Sequence, residues 1–141
     1  MQQDPAREKT VLVVDDQATV RQAIRLLLSI DHHTVTEAID GAEALALFTE
    51  NQFDLVITDF EMPVMKGNEL ATKIKQLAPS QPILMITAYG NRLGSSDNPV
   101  DAILAKPFRF DELRTAIATL LSPRQREPLV IANQSTGSFT S

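Results

Sequence analysis

A chain of 141 residues is long enough for one domain with a real hydrophobic core, and 43% hydrophobic with 22% charged residues is ordinary for a globular protein. The lack of cysteine excludes a disulfide framework and any thiolate metal site. A formal net charge of -5 argues against a surface for nucleic-acid phosphates, which needs clustered Lys and Arg. The opening MQQDPAREK has no apolar core of a signal peptide, and no apolar run nears the ~20 residues that cross a bilayer. The expectation is a cytoplasmic domain that binds neither membrane nor nucleic acid.

Strand-like and helix-like patterns alternate along the chain. Thr10–Val14 (TVLVV) is a short apolar, β-branched run that stops at Asp15-Asp16, the pattern of a strand buried on both faces. From Ala18 to Ile30, Val20, Ile24, Leu27 and Leu28 share one face while Arg21, Gln22 and Arg25 lie elsewhere, an amphipathic helix. Thr34–Ala38 is a weaker strand candidate. Asp40 is placed as N-cap of a helix running through Phe48, with Glu43 at its third position. Leu55–Thr58 (LVIT) is a third buried strand, ending at Asp59. Gly67-Asn68 precedes a helix near Glu69–Leu77 that Pro79 stops. Ile83–Thr87 is the fourth strand and residues 102–105 (AILA) a short fifth, followed by Lys106-Pro107. Asp111 reads as N-cap of a last helix through Leu121, with Leu113, Ile117 and Leu120 inward.

Strict βα alternation favours an α/β doubly wound fold, a parallel sheet covered on both sides by helices. Residues 90–101 (GNRLGSSDNPVD) break the rhythm where a fourth crossover helix belongs. Glycine costs ~1 kcal/mol and proline ~3 kcal/mol in a helix interior, so a short or irregular helix, or a loop, is expected there. The domain is expected to span 8–122. Residues 123–141 have little periodicity and read as a tail or linker too short to form an output domain, although Leu129–Ala132 is apolar enough to dock.

The chemistry sits at the carboxyl ends of the strands. The first ends at Asp15 and Asp16, the third at Asp59, the fourth at Thr87 and the fifth at Lys106. In doubly wound sheets, sites form at those ends, where the strand order reverses. Three crowded carboxylates need a counter-charge, and Mg²⁺ answers with its preference for hard oxygen ligands. Lys106 adds a cation on a flexible stem, suited to gripping one phosphoryl oxygen. A carboxylate can act as nucleophile and form an acyl phosphate, and phosphoryl transfer is catalysed mainly by positioning and charge neutralisation. Isolated charges at strand ends are common, so Thr87 or Lys106 alone would carry no argument; five such residues from four strands do.

Asp15-Asp16, the run Asp59–Gly67 (DFEMPVMKG), Thr87-Ala88 and Lys106-Pro107-Phe108 together resemble the response-regulator receiver domain, over roughly residues 9–121. The resemblance implies a flavodoxin-like sheet of strand order 2-1-3-4-5. It makes Asp59 the phospho-acceptor, served by a histidine kinase or histidine phosphotransfer protein. Asp16 becomes a direct Mg²⁺ ligand, Asp15 the holder of a metal-bound water, and the Glu61 backbone carbonyl a third protein ligand. Thr87 becomes the switch hydroxyl, Lys106 the partner of a phosphoryl oxygen, and Lys106–Pro107 a cis peptide bond. The family's switch aromatic, three residues before the lysine, is Ile103 here, which has no ring to swing into the pocket. Glu61 and Tyr89 would flank the phosphoryl group and tune its lifetime. Readout would pass to a downstream protein through the 90–108 face, with a monomer or a phosphorylation-dependent dimer as the signalling form, either stand-alone or cut from a longer chain.

Two rival readings remain open. A Mg²⁺-dependent phosphatase would also use an aspartyl nucleophile, but such enzymes carry a D-x-D run after the first strand and a cap domain. A phosphorylation-independent interaction module of the same fold is the other, kept alive by Ile103 and the irregular fourth-helix segment. Met62, Met65 and Met85 read as packing, and His32 and His33 as exposed and inert.

Overall fold

A computed structural model describes residues 9–88 and 99–122. In chain order the elements are β1 (Thr10–Val14), α1 (Ala18–Ile30), β2 (Thr34–Ala38), α2 (Gly41–Glu50), β3 (Leu55–Asp59), α3 (Gly67–Leu77), β4 (Ile83–Thr87), β5 (Ala102–Ala105) and α4 (Phe110–Leu121). The five strands form one sheet in the order β2-β1-β3-β4-β5, and every adjacent pair runs parallel. The expected doubly wound α/β fold and its strand order are therefore present. The short or irregular fourth crossover helix, and the tail from 123, fall outside the described residues.

Alternation along the strands divides the interior into two layers. Val11 and Val13 of β1 join Leu55 and Ile57 of β3 beneath α1 and α4, where Ile24, Leu28, Leu113 and Ile117 meet them. Leu12, Val14 and Val56 face the opposite way, against Ala44 and Phe48 of α2 and Leu70 and Ile74 of α3. Both faces of β1, β3 and β4 are covered, which is why these strands are continuous apolar runs rather than alternating ones. Removing one large side chain such as Leu12 or Ile57 from this packing costs about 2–5 kcal/mol. Met62 and Met85 are buried and Met65 packs against the second layer.

Local capping bonds fix the starts of α2 and α4. The Asp40 carboxylate accepts from the Glu43 amide at 2.8 Å while Glu43 reaches back to the Ile39 amide at 2.8 Å. One orphan donor of α2, the Glu43 amide, is thereby satisfied together with the Ile39 amide just before the cap. Two expected starts need correction. α4 begins two residues earlier than Asp111 as cap requires: Arg109 is the N-cap, and the Glu112 carboxylate accepts from its amide at 2.8 Å. Asp111 lies in the first turn, where its charge suits the helix dipole and where it pairs with the Arg109 side chain at 3.1 Å. Gly67 and Asn68 do not precede α3 but open it, since the Gly67 amide is already bonded to the Phe60 carbonyl at 2.9 Å. His33, expected to be exposed, is half-buried and its Nδ1 accepts from the Lys9 amide at 3.4 Å.

Candidate functional site

Strand register creates the site. Val14 pairs with Thr58, so the next residues, Asp15 and Asp59, leave neighbouring strands side by side. Thr87 pairs with Ala105, which places Lys106 one step beyond the end of β4. β1 lies between β2 and β3, so the chain leaves β1 toward one edge of the sheet and later passes to the other. The carboxyl ends of β1 and β3 consequently form the switch-point crevice where doubly wound sheets bind ligands.

Asp15, Asp16 and Asp59 each offer a carboxylate oxygen, and these oxygens all lie within 4.8 Å of one another. Asp15 and Asp59 are buried at 2% and 6% exposure, whereas Asp16 faces solvent. Lys106 extends over the pair: its Nζ is 3.0 Å from Asp59 Oδ1 and 3.9 Å from Asp15 Oδ2. The Thr87 side chain is fully buried at the end of β4, and its carbonyl accepts from the Lys106 amide at 2.9 Å. The Lys106–Pro107 peptide bond is cis.

Electrostatics in this crevice are unbalanced. Burial pushes the Asp15 carboxyl up to about 6 from its ordinary 3.8, against the pull of the Gln17 amide, with the Asp59 charge adding to the rise. Asp59 is also pushed up, first by burial, while its bond to Lys106 holds it back. One ammonium against three carboxylates leaves negative charge in a low-dielectric place, which is costly without a further cation. An all-oxygen donor set, partly exposed on one side, fits Mg²⁺ with its retained waters.

Glu61 contributes differently from the three aspartates. Its side chain is exposed and its carboxylate pairs with Lys66 at 3.3 Å. Lys66 also lies over the Phe60 ring, 5.7 Å from its centroid. Ile103, at the position of the family's switch aromatic, sits half-buried in β5 opposite Met85. Tyr89 is outside the described residues. Two groups around Asp15 went unread in the sequence. The Gln17 amide donates to Asp15 Oδ1 at 2.9 Å, and Arg21 Nη1 donates to the Asp15 carbonyl at 2.7 Å. A basic residue one turn into the helix that follows the acidic pair was the available signal.

Comparison with known proteins agrees with this geometry. Residues 11–118 match the family described as response regulator receiver domain. The response regulator MprA of Mycobacterium sp. (strain KMS) is 37% identical over 114 residues, 79% of this chain and 50% of that protein. The transcriptional regulatory protein ResD of Bacillus subtilis (strain 168) is 32% identical over 136 residues, 94% of this chain and 56% of that protein. The chain thus spans about half the length of the curated relatives it matches. Among solved structures, the response regulator TrrA of Thermotoga maritima in complex with Mg²⁺–BeF superposes with a TM-score of 0.75 and 36% identity, covering 80% of this chain and 99% of that one. TrrA in complex with the histidine kinase ThkA gives a TM-score of 0.74 at 36% identity, covering 81% and 99%. With the family match running from β1 into α4 over a sheet of the same order, this chain belongs to the response regulator receiver domains.

Proposed function

We propose that this receiver accepts a phosphoryl group on Asp59, in a Mg²⁺-dependent reaction, from the phosphohistidine of a histidine kinase or histidine phosphotransfer protein. The observation that carries the reading is Lys106 Nζ at 3.0 Å from Asp59 Oδ1, within a cluster of three carboxylates. A related domain, TrrA, has been crystallised both with Mg²⁺–BeF and with a histidine kinase, which supports the same chemistry here.

Asp59 is the nucleophile: one carboxylate oxygen bonds to phosphorus, the bond from phosphorus to the donor's imidazole nitrogen breaks, and an acyl phosphate forms. Hydrolysis later splits the new O–P bond, restoring the carboxylate and releasing inorganic phosphate. Asp15, Asp16, Asp59 and the Glu61 backbone carbonyl would hold the Mg²⁺, which when bound neutralises phosphoryl charge. Lys106 changes partners, from the Asp59 carboxylate to a phosphoryl oxygen, so its charge stays compensated before and after transfer. Thr87 supplies a hydroxyl beside the acceptor that can bond the phosphoryl group, and its movement alters the adjacent surface. A downstream protein reads that change from the receiver, which is itself a monomer or a phosphorylation-dependent dimer; the receiver spans 8–122 with 123–141 as tail or linker. No described helix is long and apolar enough to cross a membrane, in keeping with a cytoplasmic place, and nucleic acid is not bound through this domain.

An intact mass spectrum after brief incubation with Mg²⁺ and acetyl phosphate tests the proposal. One added phosphoryl group on the wild type and none on Asp59→Asn is the expected result. Sustained phosphate release from phosphate esters would favour the phosphatase instead. Absence of any adduct, from acetyl phosphate and from kinase donors alike, would leave the phosphorylation-independent module.

A further inference from the structure

Asp15 is fixed at several of its polar atoms. Its amide donates to the Ala38 carbonyl at 3.2 Å, the last rung between β1 and β2. Its Oδ1 accepts from the Gln17 amide at 2.9 Å and its Oδ2 faces Lys106 at 3.9 Å. Its carbonyl, the oxygen of the Asp15–Asp16 peptide, takes Arg21 Nη1 at 2.7 Å. Arg21 is itself anchored, since its Nε donates to Glu37 Oε1 at 2.9 Å and Arg25 Nη1 donates to Glu37 Oε2 at 2.7 Å. The two arginines hold the Glu37 carboxyl below the usual carboxylate range, Arg21 contributing most. The Arg21 and Glu37 side chains are only 15% and 23% exposed. Asp16 contrasts with its neighbour: its side chain is exposed, and among the described residues its carboxylate has no hydrogen bond or ion pair. No described residue grips the Asp16 side chain, so the peptide that carries it sets the direction of its Cα–Cβ bond and the range its carboxylate can reach.

We propose that Arg21 is a positioning residue for the metal site: anchored on Glu37 of β2, it locks the Asp15–Asp16 peptide and thereby aims the Asp16 carboxylate at the cation. The inference rests on the metal-binding reading above and deepens it. A guanidinium is needed because one planar fork must serve two acceptors at once, Nε toward Glu37 and Nη1 toward the carbonyl. Lysine has the charge but not the fork. Loss of groups that orient metal ligands typically costs 10–100-fold in metal affinity. Simple charge acts with the opposite sign, because deleting a cation beside the site strengthens Mg²⁺ binding by removing repulsion.

The test is calorimetric titration of the purified full chain with Mg²⁺ alone, at a temperature where circular dichroism shows each variant folded. Arg21→Met and Arg21→Lys are both expected to weaken Mg²⁺ binding by about tenfold or more. Arg25→Met makes the same charge change in the same network without touching Asp15, and its Mg²⁺ affinity is expected to stay within about twofold of wild type. Tighter binding by Arg21→Met, or wild-type affinity in Arg21→Lys, would overturn the assignment in favour of charge alone. Unchanged affinity in both with a lowered Tm would reduce Arg21 to a structural strut. If Arg21→Met does not fold, Arg21→Lys decides the matter. A wild type that takes up no Mg²⁺ removes the functional reading itself, a result distinct from any difference among the variants.

Discussion

The α-carbon of Gly67 is pressed against the backbone carbonyl of Asp59: a β-carbon built on Gly67 would stand 2.2 Å from that oxygen. The contact is with backbone on the far side of the loop, so no flexible side chain can yield. It is reinforced by the Gly67 amide, which donates to the Phe60 carbonyl at 2.9 Å and ties the first turn of α3 to the residue after Asp59. Gly67→Ala is therefore expected to destabilise by about 3 kcal/mol, the upper end for forced overpacking, and to slow phosphorylation by displacing Asp59. Urea unfolding gives the first quantity and timed intact-mass spectra with acetyl phosphate the second. A loss below about 1 kcal/mol with normal phosphorylation would show that the loop relaxes freely.

Lys106 is the one cation that the described residues place within 4 Å of the Asp59 and Asp15 carboxylates. Lys106→Met removes it and leaves two buried carboxylates facing each other. Breaking a buried ion pair costs about 3–5 kcal/mol, and the partial exposure of Lys106 lowers the expectation to about 1–3 kcal/mol for the metal-free protein at pH 8. The deficit should shrink at pH 5.5, below the value of about 6 to which Asp15 is raised, and also in millimolar Mg²⁺. Thermal melts in these three conditions check the pattern. An equal deficit in all three would mean that Lys106 acts through packing of its stem.

The raised carboxyl of Asp15 has its own pH signature. Between the unfolded value of 3.8 and the folded value of about 6, the folded state holds the proton more tightly than the unfolded chain does. Metal-free stability from this group is therefore lost as pH rises through that window and stays lost above it. Asp59 shifts in the same direction. His33, whose imidazole burial pulls below its ordinary value, acts oppositely, but wild type and Asp15→Asn share it. The difference between the two profiles isolates Asp15: the variant should be flatter between pH 4 and 6 and more stable at pH 7, by up to about 3 kcal/mol. Mg²⁺ affinity of the wild type should correspondingly weaken as pH falls below about 6. Parallel stability profiles for the two proteins would refute the assignment of the shift to Asp15.

Much of this arrangement was legible in the sequence because the strand ends are marked by an abrupt change from apolar, β-branched residues to a single charged one. Asp15, Asp59 and Lys106 each follow such a run, and parallel register then brings them to one edge without further information. Asp40 was legible as a cap because an acidic residue, Glu43, follows three residues later, and the Asp40 carboxylate accepts from the Glu43 amide. Asp111 misled for a related reason. Adjacent acidic residues both suit a first turn, and only the Glu112 bond to the Arg109 amide shows which residue lies outside the helix. Arg21 was read as one more polar residue on the outer side of α1. Its two acceptors belong to the end of β1 and to β2, and contacts between elements leave no trace in helical periodicity.

Val64 offers a last test, because its backbone conflicts with its residue type. It adopts φ 72 while its side chain is 89% exposed. The left-handed region costs an L-residue about 1–2 kcal/mol, and more for one branched at Cβ. No burial offsets that cost here. Asparagine tolerates the same backbone and, unlike glycine, adds little freedom to the unfolded chain. Val64→Asn is expected to stabilise the protein by about 1 kcal/mol, with the phosphorylation rate from acetyl phosphate unchanged, because the side chain stands in solvent. Urea midpoints at constant slope would measure the gain. A loss of stability would mean that the valine methyls hold the Pro63–Lys66 turn in shape, and a slower reaction would place Val64 in the path of the phosphodonor.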